Sequence, residues 1–422
     1  MIKCALVIAV LLALCSCALN PFVLKDYPPQ LGCEQTTVPP NPDCKQATVE
    51  IQFLGVDGFL VRRGEDSFIT GPMYSNPYLL EVGSQKIHTD TLLIDALLPD
   101  VTKVSAIFVG HSHYDHLMDV PYIADRYASN ATIYGSATTK HILMGDRGVS
   151  SSGAKSLYDT PDRVQVVDPV AYRWTPAPQG SVQWTAVKNA SGQRTNMRFL
   201  AIESEHSPVF NPRVLSQVKL FGLIPLRLPA PVKGEKYTPW RGTLDHDLTE
   251  LPETAAEWVM GPVFAYLIDF LGSDSKPVFR VYFQDSQARN PRGSIPRGLI
   301  DGKSVDVAIL CVGGARYVRG APQAIMENTR ASYFLLGHWD DLFVPQAAPL
   351  PGTSCPVPAH YREFPTEDTG GFLGVVKGEL AHLKESGVKS GFCVPYPCAR
   401  LFFNDSGQRL GAGREYCQST AE

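Results

Sequence analysis

Residues 111–116 have the sequence His-Ser-His-Tyr-Asp-His and directly follow the apolar run 105–110. Imidazoles and a carboxylate at the expected end of a strand are the donors that zinc and similar divalent ions prefer. In an extended or turning segment, His111 and His113 face the same way, whereas Asp115 and His116 can turn toward a second centre. Three of the ten histidines of the chain fall here, which favours a metal site over a polar surface turn.

Three later segments have a β-strand pattern and lead into a further metal-binding side chain. They are residues 197–202 before His206, 278–284 before Asp285 and 333–337 before His338. Taken singly, each of these residues is weak evidence, because a lone His is usually structural and an Asp before Ser usually caps a turn or helix. Their order and their strand-end positions, where a rigid sheet can hold a ligand on a loop, make them candidates.

The spacing His-x-His-x-Asp-His, followed by a His, an Asp and a last His, resembles the metallo-β-lactamase superfamily over roughly residues 48–345. The resemblance implies two ligand sets and a bridge: His111, His113 and His206 for one ion, Asp115, His116 and His338 for the other, and Asp285 between them. It implies two zinc ions, with manganese or iron as alternatives. Asp269 competes for the bridging role, but it lies inside an apolar strand pattern and ranks below Asp285.

The implied fold is a four-layer αββα sandwich with two mixed sheets face to face, helices outside and the metals at one edge. The residues themselves predict only a mixed α/β domain. Gly71 stands where many relatives have Asp in an Asp-Pro turn, so no ligand is expected from it.

The implied chemistry is hydrolysis by a water that two cations share and activate. Asp115 is the candidate catalytic residue, since it could orient this nucleophile or shuttle its proton. Asp340 and Asp341 are candidates for orienting a His ligand. Tyr114 is a candidate for substrate contact, with an exposed structural Tyr as the alternative.

The substrate is a less specific inference. Residues 53–77, 111–117 and 338–341 look most similar to the branch containing N-acyl-phosphatidylethanolamine phospholipase D and the L-ascorbate-6-phosphate lactonases. A phosphodiester, in a lipid-like molecule, ranks slightly ahead of a lactone or other carboxylic ester. Two readings from other classes are a mononuclear iron oxygenase and a non-catalytic binding lipoprotein.

The composition is that of a sizeable soluble globular protein. Hydrophobic residues make up 44% and charged residues 19%. The net charge of −4 does not indicate a basic surface for binding nucleic acid. Oligomeric state cannot be inferred from the sequence. Residues 1–17 have a Lys3 start and a ten-residue apolar core, too short to span a bilayer, which predicts a signal peptide.

The leader ends in Leu14-Cys15-Ser16-Cys17, which resembles a lipobox with Cys17 as the lipidated residue. Ala18 after Cys17 suggests the outer membrane of a Gram-negative cell, with the domain in the periplasm. An ordinary secreted protein is the alternative. Residues 18–47 are Pro-rich and predict a tether.

Cysteine positions agree with an oxidising compartment. Cys311 lies in a buried-strand pattern and predicts a free core thiol. Six others in the terminal segments predict three disulfides, with fifteen possible connectivities: Cys33, Cys44, Cys355, Cys393, Cys398 and Cys417.

The remaining strands, helices and loops are predicted from hydrophobic periodicity and from the positions of Gly and Pro. Strands are predicted at 48–54, 59–63 and 67–70, and helices at 117–128 and at 136–144 with Ser136 as N-cap. Residues 207–257 are apolar, basic and broken by Gly and Pro, which predicts a lid or substrate wall; an ordinary buried loop or an oligomer contact is the alternative. Residues 346–422 predict a helix from about Asp368, stopped at Gly387, and a disulfide-linked tail.

Overall fold

The computed structural model describes residues 47–78, 81–82, 85–146, 163–171, 182–208, 240–299, 302–346, 369–410 and 415–419. The predicted signal peptide, the lipobox, the tether before residue 47 and the centre of the predicted lid lie outside these residues. Among the helices of the described ranges, none has both the length and the apolar character needed to cross a bilayer.

Two eight-stranded sheets form the framework. The first has the order β15-β14-β1-β2-β3-β4-β5-β6: β1 (Val49–Gly55), β2 (Gly58–Arg63), β3 (Asp66–Thr70), β4 (Ala106–Phe108), β5 (Thr132–Gly135), β6 (Val164–Val166), β14 (Arg400–Phe403) and β15 (Arg409–Leu410). The second has the order β16-β13-β12-β11-β10-β9-β8-β7: β7 (Thr185–Lys188), β8 (Arg194–Glu203), β9 (Phe264–Leu271), β10 (Pro277–Gln284), β11 (Val307–Cys311), β12 (Tyr333–Gly337), β13 (Gly391–Pro395) and β16 (Glu415–Ser419).

Both sheets are mixed. In the first sheet β1, β2 and β3 are antiparallel, and β3 to β6 run parallel. In the second sheet β7 to β10 are antiparallel, and β10 to β13 run parallel. The helices are α1 (Thr91–Leu97), α2 (Tyr114–Leu117), α3 (Val120–Arg126), α4 (Ala137–Leu143), α5 (Gln323–Thr329) and α6 (Thr369–Glu385).

Successive side chains of a strand point to opposite faces of the sheet, so each sheet packs against the other sheet on one face and against helices on the other. Phe68 and Phe108 face the second sheet, and Phe68 stacks on Phe270 of β9 at 5.8 Å between ring centroids. Ile69 and Ile107, their neighbours, face outward against a cluster that includes α1, α3 and α4. Residues of α5 and α6 pack with the second sheet. The predicted four-layer αββα sandwich is therefore confirmed.

Most predicted elements near the motif are present, and one is divided. The predicted helix over 117–128 is two short helices, α2 and α3, because the turn at Asp119 separates them and Pro121 starts the second. The carboxylate of Asp119 accepts hydrogen bonds from the backbone N–H groups of Tyr74 and Ser75 and is thereby held toward the loop after β3. Helix α4 begins at the predicted N-cap, Ser136, with a capping box to Thr139.

The sandwich continues beyond the predicted domain boundary at residue 345. Strands β13 and β16 extend the second sheet, and β14 and β15 extend the first, so the C-terminal segment is part of both sheets. The sequence analysis did not predict these short strands and expected a disulfide-linked tail after the helix. Helix α6 starts at Thr369 and is followed by Gly387 at φ 80°, as predicted. Cys311 is a buried free thiol, as predicted, and Cys393 and Cys398 are disulfide-bonded.

Candidate metal centre

The first predicted ligand set comes from the loop after β4 and the loop after β8. Side-chain nitrogens of His111, His113 and His206 lie within 4.8 Å of one another. Nε2 of His111 is 3.1 Å from Nδ1 of His113. Nδ1 of His206 donates to the carbonyl oxygen of Ser207 at 2.6 Å, which leaves Nε2 of His206 as the nitrogen with a free lone pair. The structure therefore groups three imidazoles as the sequence predicts.

The second predicted set centres on one oxygen of Asp115. This Oδ2 lies 3.3 Å from Nε2 of His116 and 3.3 Å from Nε2 of His338. Asp115 and His116 are on α2, whereas His338 follows β12 in the other sheet. His338 has φ 54°, a left-handed conformation that is unusual for a non-glycine residue and concentrates at functional sites.

Asp285, after β10, lies between the two sets. Its Oδ2 is 2.6 Å from Nδ1 of His111, and its Oδ1 is 3.1 Å from Nδ1 of His116. Both partners are fully buried, and the Asp285 side chain is 0% exposed. All seven predicted side chains therefore converge at one edge of the sandwich, and one carboxylate contacts a histidine from each set.

Asp269, the competing candidate for the bridge, is elsewhere. Its carboxylate accepts hydrogen bonds from Nε and Nη2 of Arg280 at 2.6 and 2.9 Å. Arg198 donates to it as well, at 2.9 Å. Asp269 is therefore an ion-pair residue of the second sheet, and its contacts are with arginines rather than with the histidine cluster.

Several buried polar atoms of the cluster lack a hydrogen-bond partner within the described residues. They include Nε2 of His113, whereas Nδ1 of His116 and Oδ1 of Asp285 face each other at 3.1 Å in poor hydrogen-bond geometry and have no other partner there. Buried polar groups are rarely left unpaired, and a cation is one of the explanations for such exceptions. The donor types and their unpaired atoms therefore fit a pair of divalent ions.

The protonation states differ between the two sets. Burial and the neighbouring His111 lower the pKa of His206 to about 3, and burial also places the pKa of His113 well below its ordinary value. These imidazoles are neutral at pH 7, as metal ligands must be. Against the effect of burial, Asp285 and Asp115 hold the pKa of His116 well above its ordinary value.

Asp285 and Asp115 are ionised. Burial alone would raise the pKa of Asp285, but His116 and His111 lower it below its ordinary value. In the same way, His116 and His338 outweigh burial at Asp115 and hold its pKa well below its ordinary value. The cluster therefore presents anionic oxygens and imidazole nitrogens together.

Solvent reaches the cluster from one side. The side chains of Asp115 and His338 are each 13% exposed, and His206 is also partly exposed, whereas His111, His113 and His116 are buried. A substrate would therefore approach from the side of Asp115, His206 and His338.

The structure describes Tyr114 and part of the predicted lid. Tyr114 is 2% exposed and its ring lies 5.7 Å from that of Trp240, so it is a buried residue rather than an exposed one. Trp240 also packs edge-on against His113 at 5.9 Å. Trp240, in the C-terminal part of the predicted lid, thus lies beside the cluster, while 209–239 fall outside the described residues.

Asp340 and Asp341, the two acidic residues that follow His338 closely, make different contacts. The backbone N–H of Val56 donates to Oδ2 of Asp340 at 3.1 Å, and the backbone N–H of His338 donates to the carbonyl oxygen of Val56. Asp340 thus fastens the β1–β2 turn beside His338. Asp341 accepts from the backbone N–H of Phe343 at 3.0 Å, a local turn contact.

Sequence reasoning missed Asp57, in the β1–β2 turn. It is fully buried, and one of its carboxylate oxygens lies within 4.8 Å of ligand atoms of His116 and Asp285. Burial raises the pKa of the Asp57 carboxyl well above its ordinary value, while His338 opposes this. In the sequence, Asp57-Gly58 has the composition of an ordinary hairpin turn, so no local signal distinguishes it.

No protein-family model and no curated protein match the sequence. Solved structures do match. Igni18, a metallo hydrolase from the archaeon Ignicoccus hospitalis, has 13% identity and a TM-score of 0.41, over 84% of this chain and 98% of that chain. The metallo-β-lactamase fold protein YhfI from Bacillus subtilis has 12% identity and a TM-score of 0.31, over 69% and 85%.

A third match is CmlA, a diiron β-hydroxylase from Streptomyces venezuelae. It has 12% identity and a TM-score of 0.38, over 87% of this chain and 55% of that chain. Likenesses this distant say nothing of substrate or reaction, so the proposals below rest on the geometry of the cluster and on the sequence motif.

Proposed function

We propose that the protein is a metal-dependent hydrolase that uses two divalent cations to cleave an ester-type bond. One observation carries the proposal: seven side chains from four strand ends converge, and the Asp285 carboxylate contacts His111 of one set and His116 of the other. A set of donors shared in this way suits two adjacent ions rather than one. Zinc is the first candidate, with manganese or iron as alternatives.

Two bound cations would supply an activated water and a Lewis acid for the oxygen under attack. The chain itself supplies orientation. Asp285 holds His111 through Nδ1, and the Ser207 carbonyl oxygen holds His206, so each imidazole keeps its other nitrogen directed into the cluster. Such fixed donors need no rearrangement when substrate arrives.

Asp115 is the proposed catalytic residue. It is one of the partly exposed members of the cluster, and its Oδ2 lies 3.3 Å from two imidazoles. Its lowered pKa keeps it ionised at pH 7, so it can accept a hydrogen bond from the attacking water and orient it. Ser and Cys nucleophiles are not required for this reaction.

For the substrate we propose a phosphodiester, in a lipid-like molecule, with a lactone or other carboxylic ester as the alternative. The sequence resemblance to the phospholipase D and lactonase branch supports this order. The Trp240 ring beside His113 supports an apolar wall next to the reacting bond.

The first test is metal content. Full-length wild-type protein should hold two equivalents of zinc by mass spectrometry, and His116→Ala should hold about one. His246→Ala is the matched control, because its side chain is 72% exposed and pairs with Asp245. One equivalent of iron with oxygen uptake would replace the proposal with an oxygenase, and no metal in the wild type would leave a binding protein.

The second test is turnover by the zinc-loaded protein. We expect hydrolysis of bis(p-nitrophenyl) phosphate and of N-acyl-phosphatidylethanolamine in vesicles, lost in Asp115→Asn. Hydrolysis of a lactone with no phosphodiester turnover would move the assignment to lactonase. Absence of turnover with every ester, in protein holding two zinc ions, would contradict the hydrolase proposal.

We also propose export to the periplasm with a lipid anchor at Cys17, from the leader sequence alone. Expression in a Gram-negative host with labelled palmitate should label the wild type and leave Cys17→Ser unlabelled. Equal labelling of both, or secretion of the wild type without label, would favour an ordinary secreted protein.

A further inference from the structure

Asp57 is a buried carboxylate that the turn around it does not use. The turn is closed by its backbone: Oγ1 of Thr70 donates to the carbonyl oxygen of Asp57 at 2.6 Å and accepts from the backbone N–H of Phe59 at 2.8 Å. Within the described part of the chain no N–H or O–H group donates to the carboxylate oxygens of Asp57; the thiol of Cys311 lies beside them, and the residue is 0% exposed. A thiol is only a weak donor, so this contact does not compensate the burial of a carboxylate.

Its surroundings are the second half of the metal cluster. A carboxylate oxygen of Asp57 and ligand atoms of His116 and Asp285 lie within 4.8 Å of one another. Asp57 also packs against the end of β12, where a β-carbon on Gly337 would stand 2.3 Å from Oδ1 of Asp57. Gly337 immediately precedes His338, so Asp57 lies under the loop that supplies the last predicted ligand.

A buried carboxylate without a partner is costly, and a neighbouring carboxylate adds repulsion. Asp57 and Asp285 face the same small space, where the thiol of Cys311 is another neighbour of Asp57. A divalent cation bound among these groups would compensate both carboxylates at once. The unused oxygens of Asp57 are the atoms such an ion requires.

We propose that Asp57 is a further ligand of the second metal ion. This inference rests on the proposed dinuclear function. The second ion then has three carboxylates available, from Asp57, Asp115 and Asp285, beside the imidazoles of His116 and His338. Oxygen-rich sets suit manganese, whereas zinc prefers nitrogen and sulfur donors, so the second position should take manganese more readily than the first.

The test compares full-length wild type, Asp57→Asn and Asp306→Asn. The control Asp306 is also a buried carboxylate, but it accepts from the backbone N–H of Arg280 at 2.7 Å and from Lys303 Nζ, away from the cluster. Each protein is stripped with a chelator and dialysed against equal zinc and manganese. Bound metals are counted by mass spectrometry, and manganese affinity is measured by calorimetry.

We expect two ions in the wild type and in Asp306→Asn, with manganese in one position. Asp57→Asn should keep one zinc and bind the second ion at least about tenfold more weakly, as loss of an anionic ligand predicts. Two ions bound by Asp57→Asn with wild-type affinity would overturn the inference and leave the proposed function intact. A wild type that binds no metal would overturn both.

A crystal structure of the manganese-loaded wild type tests the same point without a variant. We expect anomalous density at the second position with a carboxylate oxygen of Asp57 about 2.0–2.6 Å from the ion, the range of metal–oxygen bonds. A separation beyond about 3 Å would overturn the inference, and Asp57 would then be a positioning residue for His116 or His338.

Discussion

Gly71 lies so close to His116 that a β-carbon at position 71 would stand 2.2 Å from the His116 carbonyl oxygen. The loop after β3 and the metal-binding motif therefore touch backbone to backbone. The sequence analysis expected no ligand from Gly71, which occupies the place of an Asp in many relatives. The contact shows that any side chain here would displace the motif.

Gly71→Ala should therefore push the backbone of His116 outward and weaken the second metal position. We expect a loss of about 1–3 kcal/mol in the free energy of unfolding, the usual cost of overpacking, together with less than two equivalents of bound zinc. Urea unfolding and metal analysis measure the two effects. Gly374→Ala on α6 is the control, because a β-carbon there meets no other atom within 4 Å; equal behaviour of the two variants would refute the contact.

The opposite pKa shifts of His206 and His116 predict opposite pH effects in metal-free protein. The pKa of His206 is lowered to about 3, so the unfolded chain takes up its proton near pH 6.5 before the folded chain does. His206 thus destabilises the fold as pH falls below that value. Relative to wild type, His206→Gln should gain about 2 kcal/mol on going from pH 7.5 to pH 5.

For His116 the sign reverses. Its folded-state pKa is raised by Asp285 and Asp115 against burial, so its contribution is fully present below about pH 6.5 and is lost as pH rises through the folded pKa. His116→Gln should therefore lose stability relative to wild type when the pH is lowered from 7.5 to 5. Urea unfolding of chelator-treated proteins at both pH values decides this, and slopes of the same sign would contradict the assigned shifts.

Thr139 connects the metal-binding motif to helix α4. Its Oγ1 is 2.8 Å from Oγ of Ser112, between the two first-set histidines, and it also accepts from the backbone N–H of Ser136 at 3.2 Å. Thr139→Val would leave both partners buried without this bond, and we expect a cost of about 1–3 kcal/mol.

The control for that change is Thr329→Val, whose hydroxyl donates to a helix carbonyl oxygen at 2.8 Å and links no second segment. If the connection matters, Thr139→Val also weakens zinc binding, measured by calorimetry, and Thr329→Val does not. Unchanged zinc affinity in Thr139→Val would mean that the motif is positioned independently of α4.

The sequence predicted the parts of the site that depend on local order. His111, His113, Asp115 and His116 belong to one hexapeptide, and a strand pattern precedes each later ligand candidate, so chain order and sheet edges could be combined. The N-cap at Ser136 was predictable for the same reason, because capping involves residues three positions apart.

What could not be predicted depends on tertiary contacts. The role of Asp57 depends on β12 and His116, which are distant in the chain, whereas its neighbours in sequence indicate only a turn. Strands β13 to β16 are short, and they join the two sheets through distant partners, β13 with β12 and β14 with β1. Neither feature has a local periodicity that a single sequence displays.

Asp269 and Asp285 provide the sharpest comparison between a structural and a metal-binding carboxylate. Both are fully buried on neighbouring strands or their ends, but Asp269 pairs with Arg280 and Arg198, and Asp285 contacts His111 and His116. Removing one member of a buried ion pair leaves an uncompensated charge, so Asp269→Asn should cost about 3–5 kcal/mol in unfolding free energy.

Asp285→Asn should differ from Asp269→Asn in having a large effect on metal binding as well as on the fold. Without its charge neither His111 nor His116 is held as before, and we expect zinc binding at both positions to weaken by more than about tenfold. Zinc titration should separate the two variants: Asp269→Asn keeps both ions, whereas Asp285→Asn does not. If Asp269→Asn loses zinc while remaining as stable as wild type, and Asp285→Asn keeps both ions, the assignment of the two carboxylates must be exchanged.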